Sequence, residues 1–159
     1  MSPRFNDSQN SAKSYALRLL GYRPRSRKEL KDRLGRKGFN DEHINSVIES
    51  LENAGFISDE ILARELFRGA VERKYFGKKG VEQLLLKRGI EKEIVNECVS
   101  ALTREIEEEA AARLVEKKLK TLKNYPEDVV KRRLWSTLQR RGFPPDIIKT
   151  AVNSIEEES

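Results

Sequence analysis

The chain has 159 residues, of which 37% are hydrophobic and 36% charged, with a formal charge of +6 and a pI near 9.5. An average domain is roughly 25% charged, so this one has much surface for its core, which suits small helical modules, and its basic balance permits contact with phosphates or acidic protein surfaces. One cysteine excludes an internal disulfide, no N-terminal apolar run follows a basic segment and no apolar stretch nears membrane length, so the composition reads as a cytoplasmic protein with no membrane partner.

In chain order the spacing predicts nine helices. Residues 1–10 are polar and expected to be flexible. The first helix is predicted from about Ser11 to Gly21, with Tyr15, Leu19 and Tyr22 on its apolar side. Ser26 followed by Glu29 makes a capping box that starts the second helix, which stops at Gly38. Asn40 caps the third, ending at Gly55. Ser58 or Asp59 caps the fourth, from Glu60 to about Lys74, and Gly77 and Gly80 bracket the start of the fifth, which ends at Gly89. The sixth spans Glu91 to about Leu102. The seventh, from about Arg104 to Lys120, has an acidic start and a basic end that complement its macrodipole. Pro126 is expected in the first turn of the eighth helix, which Gly142 ends. Pro144-Pro145-Asp146 opens the ninth, followed by an acidic tail at 156–159.

These helices repeat. Gly38, Gly89 and Gly142 stand 51 and 53 residues apart, each after two basic residues and before a large apolar one (Phe39, Ile90, Phe143). Eight residues before each glycine stand Leu30, Val81 and Leu134; four before, Leu34, Leu85 and Leu138. Six after stand Ile44, Val95 and Ile148; ten after, Ile48, Val99 and Val152; thirteen after, Leu51, Leu102 and Ile155. A pattern this long recurring three times is an internal repeat. Each copy reads as a helix stripe, a glycine in the left-handed position past the helix end and a second stripe. Two helices cannot bury both stripes, so a third precedes them. The fold expected is all-α, with three tandem three-helix repeats at 11–56, 57–102 and 103–155, similar to helix-turn-helix modules.

Candidate binding residues are basic. Arg36-Lys37, Lys87-Arg88 and Arg140-Arg141 lie at helix C-termini, where the dipole already favours cations, so stability accounts for them. Arg27 and Lys28 follow the cap Ser26, at the dipole-unfavourable end, with Arg23 and Arg25 just outside. Nine basic residues lie between Arg18 and Lys37 against only Glu29 and Asp32. Like charge concentrated at a helix start is understandable if an anion completes the site. Arg73, Lys74, Lys78 and Lys79 repeat the arrangement around Tyr75 and Phe76, a mixture suited to nucleic acid unless the aromatics plug the hinge between helices. Arg132 and Arg133 on the eighth helix complete the candidate set. Trp135 matches charged Lys31 and Glu82 in the other copies, so its register should face solvent, either as a partner contact or as altered packing of the third copy.

Catalysis finds little support. His43 is the only histidine, Cys98 matches the small core positions Val47 and Ala151, and no phosphate-cradling loop or nucleophile motif is present. No metal or cofactor is expected, and the chain reads as a non-enzyme.

Ser26-Arg27-Lys28-Glu29-Leu30, Gly38-Phe39, Gly55-Phe56-Ile57-Ser58-Asp59 with Ala63, Lys87-Arg88-Gly89-Ile90 and Arg140-Arg141-Gly142-Phe143, in that order and spacing, resemble the RecX family over roughly Ser14 to Ile155. The resemblance implies tandem three-helix repeats in a curved, elongated monomer. It also implies binding to the filament that RecA recombinase forms on DNA, with negative modulation of its ATPase and strand exchange in repair, recombination and the SOS response. Single- and double-stranded DNA would be partners alongside the recombinase. Glu91 departs from the pattern, standing where a capping Ser or Asp is usual. The rival readings are a DNA-binding protein acting without a recombinase and a structural helical adaptor.

Overall fold

The computed structural model describes residues 3–157, and all regular structure among them is helical. The elements are α1 (Pro3–Tyr22), α2 (Arg27–Lys37), α3 (Asp41–Asn53), α4 (Asp59–Glu72), α5 (Lys78–Lys87), α6 (Lys92–Ser100), α7 (Arg104–Leu119), α8 (Glu127–Arg140) and α9 (Pro145–Glu157). They form three groups of three, as the repeat predicts. The chain divides into two compact units: residues up to Ala63 with Lys87–Glu91, and Arg64–Leu86 with Lys92 onward.

The first unit is organised by one apolar cluster. Ala12, Ala16 and Leu19 of α1, Leu30 and Leu34 of α2, and Ile44, Val47, Ile48 and Leu51 of α3 are buried together, with Tyr15 and Phe39 packed against them. In the second unit the corresponding cluster joins Ala111, Leu114 and Val115 of α7 to Leu134 and Leu138 of α8 and Ile147, Ile148 and Val152 of α9. Val81, Leu85, Val95 and Val99 of the middle group are buried in the same register. Of the fifteen apolar positions aligned on the glycines, all are buried except Ile155, which is half-buried. Gly38, Gly89 and Gly142 all take positive φ, between 82° and 102°, the conformation in which a missing Cβ removes the steric penalty.

Several boundaries differ from expectation, among them the end of α6 at Ser100 rather than about Leu102. Helix α1 begins at Pro3 rather than Ser11. Proline suits a first turn, and tertiary contact holds the polar stretch: Gln9 Nε2 donates to Ser46 Oγ on α3 at 2.6 Å. Helix α4 stops at Glu72, short of Lys74, because Tyr75 turns the chain at a φ of 55°. Pro126 is the N-cap of α8 rather than a member of its first turn. Helix α9 continues to Glu157, so Glu156 is helical, and its carboxylate pairs with Lys131 of α8; residues 158–159 lie outside those described. Helix α8 has 14 residues against 11 in α2 and 10 in α5, and the extra turn lies at its N-terminal end.

Candidate functional site

The start of α2 is where the sequence concentrates cations. Ser26 Oγ accepts from the Glu29 N–H at 3.1 Å, and Glu29 Oε1 accepts from the Ser26 N–H at 3.1 Å, completing the capping box. The Arg27 N–H, one of the orphan donors of a helix start, donates to Asp59 Oδ1 at 3.0 Å. The Arg27 guanidinium meets Glu52 at 2.9 Å. Glu29 receives Arg23 at 3.2 Å and Arg88 at 3.2 Å, while Arg88 Nη2 also donates to the Pro24 carbonyl at 2.9 Å. Gly89 lies against the same helix start: a methyl group on it would sit 2.9 Å from both Ser26 Oγ and Lys28 Cβ.

The second unit repeats this construction at α5. The Lys78 N–H donates to Glu107 Oε2 at 2.5 Å, so this buried carboxylate of α7 does for α5 what Asp59 does for α2. The Gly77 N–H donates to the Arg141 carbonyl at 2.8 Å. Arg141 in turn donates to the Lys74 carbonyl and lies 5.2 Å from the Phe76 ring centroid. A methyl on Gly77 would lie 2.7 Å from the Gly142 carbonyl oxygen, and one on Gly80 would strike the Arg141 carbonyl oxygen, so both glycines exist for close backbone approach.

An anion does complete each helix start, as the charge pattern demands, but it belongs to the chain itself: Asp59 and Glu29 at α2, Glu107 at α5. Tyr75 and Phe76 are half-buried. Tyr75 packs on the cluster of α7, α8 and α9 with Lys117 Nζ 6.0 Å from its ring centroid, and Phe76 carries Arg141. Asp59 ionises less readily than an ordinary aspartate, because burial outweighs the hydrogen bond from the Arg27 N–H and the Arg27 charge.

Beside α2 cations remain in excess. Burial, then Arg23 and Arg33, push the Arg25 guanidinium pKa below its ordinary value, with Glu29 opposing and Arg88 adding a smaller push. Glu29 thus holds Arg23 and Arg88, with Arg25 close by and Arg33 beside Arg25. The Nε–H donors of Arg25 and Arg33 are buried without a hydrogen-bond partner among the described residues. Arg33 belongs to this cluster although the sequence marked it only as one of a run; its spacing of four from Glu29 along α2 was the available signal.

The remaining candidates have other surroundings. Lys28, Lys78, Lys79, Lys87, Arg132 and Arg140 are exposed, with no ion pair among the described residues. Arg133 lies over the Tyr125 ring at 4.2 Å. Arg73, just past the end of α4, folds back towards Gly69 on that helix, and Lys74 is exposed. Trp135 is 38% exposed, in the solvent-facing register expected of it. His43 is buried on α3, and burial raises the half-buried Cys98 thiol. Among the described residues no three histidine, cysteine or acidic side chains are grouped to hold a metal, and no helix is long and apolar enough to cross a membrane.

Comparison with known proteins agrees with this architecture. The first three-helix domain of RecX matches residues 12–51, and the third three-helix domain of RecX matches residues 105–152. The regulatory protein RecX of Pelodictyon phaeoclathratiforme is 36% identical over 142 residues, covering 89% of this chain and 86% of that one. Its counterpart in Clostridioides difficile is 31% identical over 144 residues, covering 91% and 68%. The crystal structure of RecX from Lactobacillus salivarius shares the fold, with a TM-score of 0.77 at 24% identity over 96% of this chain and 99% of that one. A second crystal structure of regulatory protein RecX gives 0.78 at 21% identity, over 94% and 75%. With the repeat, its glycine corners and these relatives in agreement, the chain belongs to the RecX family of regulatory proteins.

Proposed function

We propose that the protein is a negative modulator of the RecA recombinase, binding the filament the recombinase forms on DNA and lowering its ATPase and strand-exchange activities. The observation that carries this reading is the group of Arg23 and Arg88 on Glu29 with Arg25 and Arg33 beside them, in which two buried Nε–H donors have no hydrogen-bond partner among the described residues. Planar guanidinium forks suit phosphate and carboxylate oxygens, and both are present where a recombinase coats a DNA strand. Exposed Lys28 adds a cation to the first unit, and Lys79, Arg132 and Arg140 are exposed cations of the second, each able to neutralise a phosphate. A protein seated there hinders subunit addition and strand pairing sterically, without catalysis of its own.

The test is titration into an ATPase assay of recombinase on single-stranded DNA. Wild-type protein lowers the rate. The double variant Arg25→Gln/Arg33→Gln needs about tenfold more protein for half inhibition, and its binding depends less steeply on salt as phosphate contacts are lost. An unchanged rate alongside tight binding to bare DNA would favour a DNA-binding protein acting alone. An unchanged rate with no salt-sensitive DNA affinity would favour a helical adaptor.

A further inference from the structure

Two of the three basic-glycine corners are occupied by the chain itself, and they are occupied alike. At Arg88-Gly89 the glycine lies on Ser26 and Lys28 at the start of α2, and the arginine takes the Pro24 carbonyl just ahead of that helix. At Arg141-Gly142 the glycine lies on Gly80 at the start of α5, and the arginine takes the Lys74 carbonyl just ahead of it. The third corner, Lys37-Gly38, has the same left-handed turn, with φ +102°, yet a methyl group on Gly38 would meet nothing within 4 Å. Lys37 is exposed and lies 5.4 Å from the Tyr15 ring centroid instead of on a carbonyl, with Arg18 5.6 Å from the same ring.

We propose that the Lys37-Gly38 corner docks a helix N-terminus of a partner protein, one with a small residue, Ser or Gly, at its start and an acid in its first turn. Both seats inside the chain are helix starts made close by small residues, Ser26 in one and Gly77 with Gly80 in the other. The acid follows from charge: Arg18, Arg36 and Lys37 are exposed around this corner, and the α2 seat meets its own arginine with Glu29. At the helices equivalent to the two internal seats a second copy fits poorly. Its α2 and α5 starts are filled, and at α8 the residues in register with Ser26/Gly77 and Glu29/Gly80 are Val130 and Arg133, inside a helix one turn longer. This identification of the partner rests on the reading above: the helix start belongs to a subunit of the recombinase filament.

The experiment is a binding titration of labelled protein against recombinase filaments on single-stranded DNA and against bare single-stranded DNA. It uses wild type, Gly38→Asn, Gly55→Asn and Lys37→Glu, with melting temperatures of all four. Asparagine is among the residues that best tolerate positive φ, and it adds a side chain where docking would need a bare backbone. Gly55, at φ +80° with nothing within 4 Å of an added methyl, is the control for backbone strain. The expected result is a loss of about tenfold or more in filament affinity for Gly38→Asn and Lys37→Glu. Gly55→Asn then binds filament as wild type, and Gly38→Asn binds bare DNA as wild type. Wild-type filament affinity in Gly38→Asn would overturn the docking proposal alone. An equal loss on bare DNA would assign the corner to phosphate and overturn it too. Failure of the wild type to bind filament would instead remove the recombinase reading, and this partner with it.

Discussion

Asp59 shows how one side chain carries two opposed effects. Its oxygen caps the exposed N–H at the start of α2, yet its half-buried site makes ionisation harder. Asp59→Ala removes the acceptor and should cost about 0.5–2 kcal/mol, the usual range for a lost cap. Asp59→Asn keeps an oxygen acceptor without the charge and should cost much less. Because the folded-state pKa is raised, the wild type is most stable, relative to Asp59→Asn, below the ordinary value of 3.8. It loses ground as pH rises through the raised value and then levels off. Urea titrations of both proteins across the acid range read this directly, and an advantage for the wild type that grows with pH would contradict it. Glycines give a matched pair at the same scale. Gly35→Ala, in the exposed interior of α2 with open space around the new methyl, should stabilise by about 0.4–1 kcal/mol. Gly80→Ala drives a methyl into the Arg141 carbonyl and should destabilise by about 1–3 kcal/mol or more. If both changes have the same sign in thermal melts, the close approach at Gly80 is not what holds that position.

At the scale of helices, the aligned leucines are the firmest expectation. Leu34, Leu85 and Leu138 are each fully buried, so replacing any one by Ala should cost about 2–5 kcal/mol. Denaturant unfolding reads the loss, and a cost below about half a kcal/mol would mean a surface-like site. These positions were legible because a helix stripe advertises itself through local spacing, and the glycine turns because a left-handed corner has few alternatives to glycine. The Ser26–Glu29 box was legible too, but the long-range acceptors at the starts of α2 and α5 were not. These acceptors lie 32 and 29 residues along the chain, and Glu107 stands in an acidic run that dipole compensation already explains. Charge counting along the sequence therefore found the cationic helix starts and the need for an anion there, but not that the fold brings its own. Arg25, picked out by that counting, does sit in a place of excess positive charge, whereas Arg27 and Arg141 are engaged within their units.

Across the whole molecule, the first and third helix groups bury separate apolar clusters with no residue in common. Local stability should follow those clusters. Native-state hydrogen exchange on Leu138→Ala should speed exchange of amides in α7, α8 and α9 while leaving those in α1, α2 and α3 protected, and Leu34→Ala should do the reverse. Uniform acceleration along the chain in either variant would mean a single cooperative unit instead.

The extra turn of α8 gives the chain a grammar of extension. A duplicate of the α4–α6 segment spliced in ahead of α4 would find a matching seat at Ser26 and would itself offer one built on its own copies of Gly77 and Gly80. The same duplicate placed behind α9 would bring its glycine to Val130 and Arg133, inside a helix, with no bare backbone to receive it. Helix α8 thus offers no bare backbone at this register, whereas the Lys37-Gly38 corner keeps its own bare backbone open.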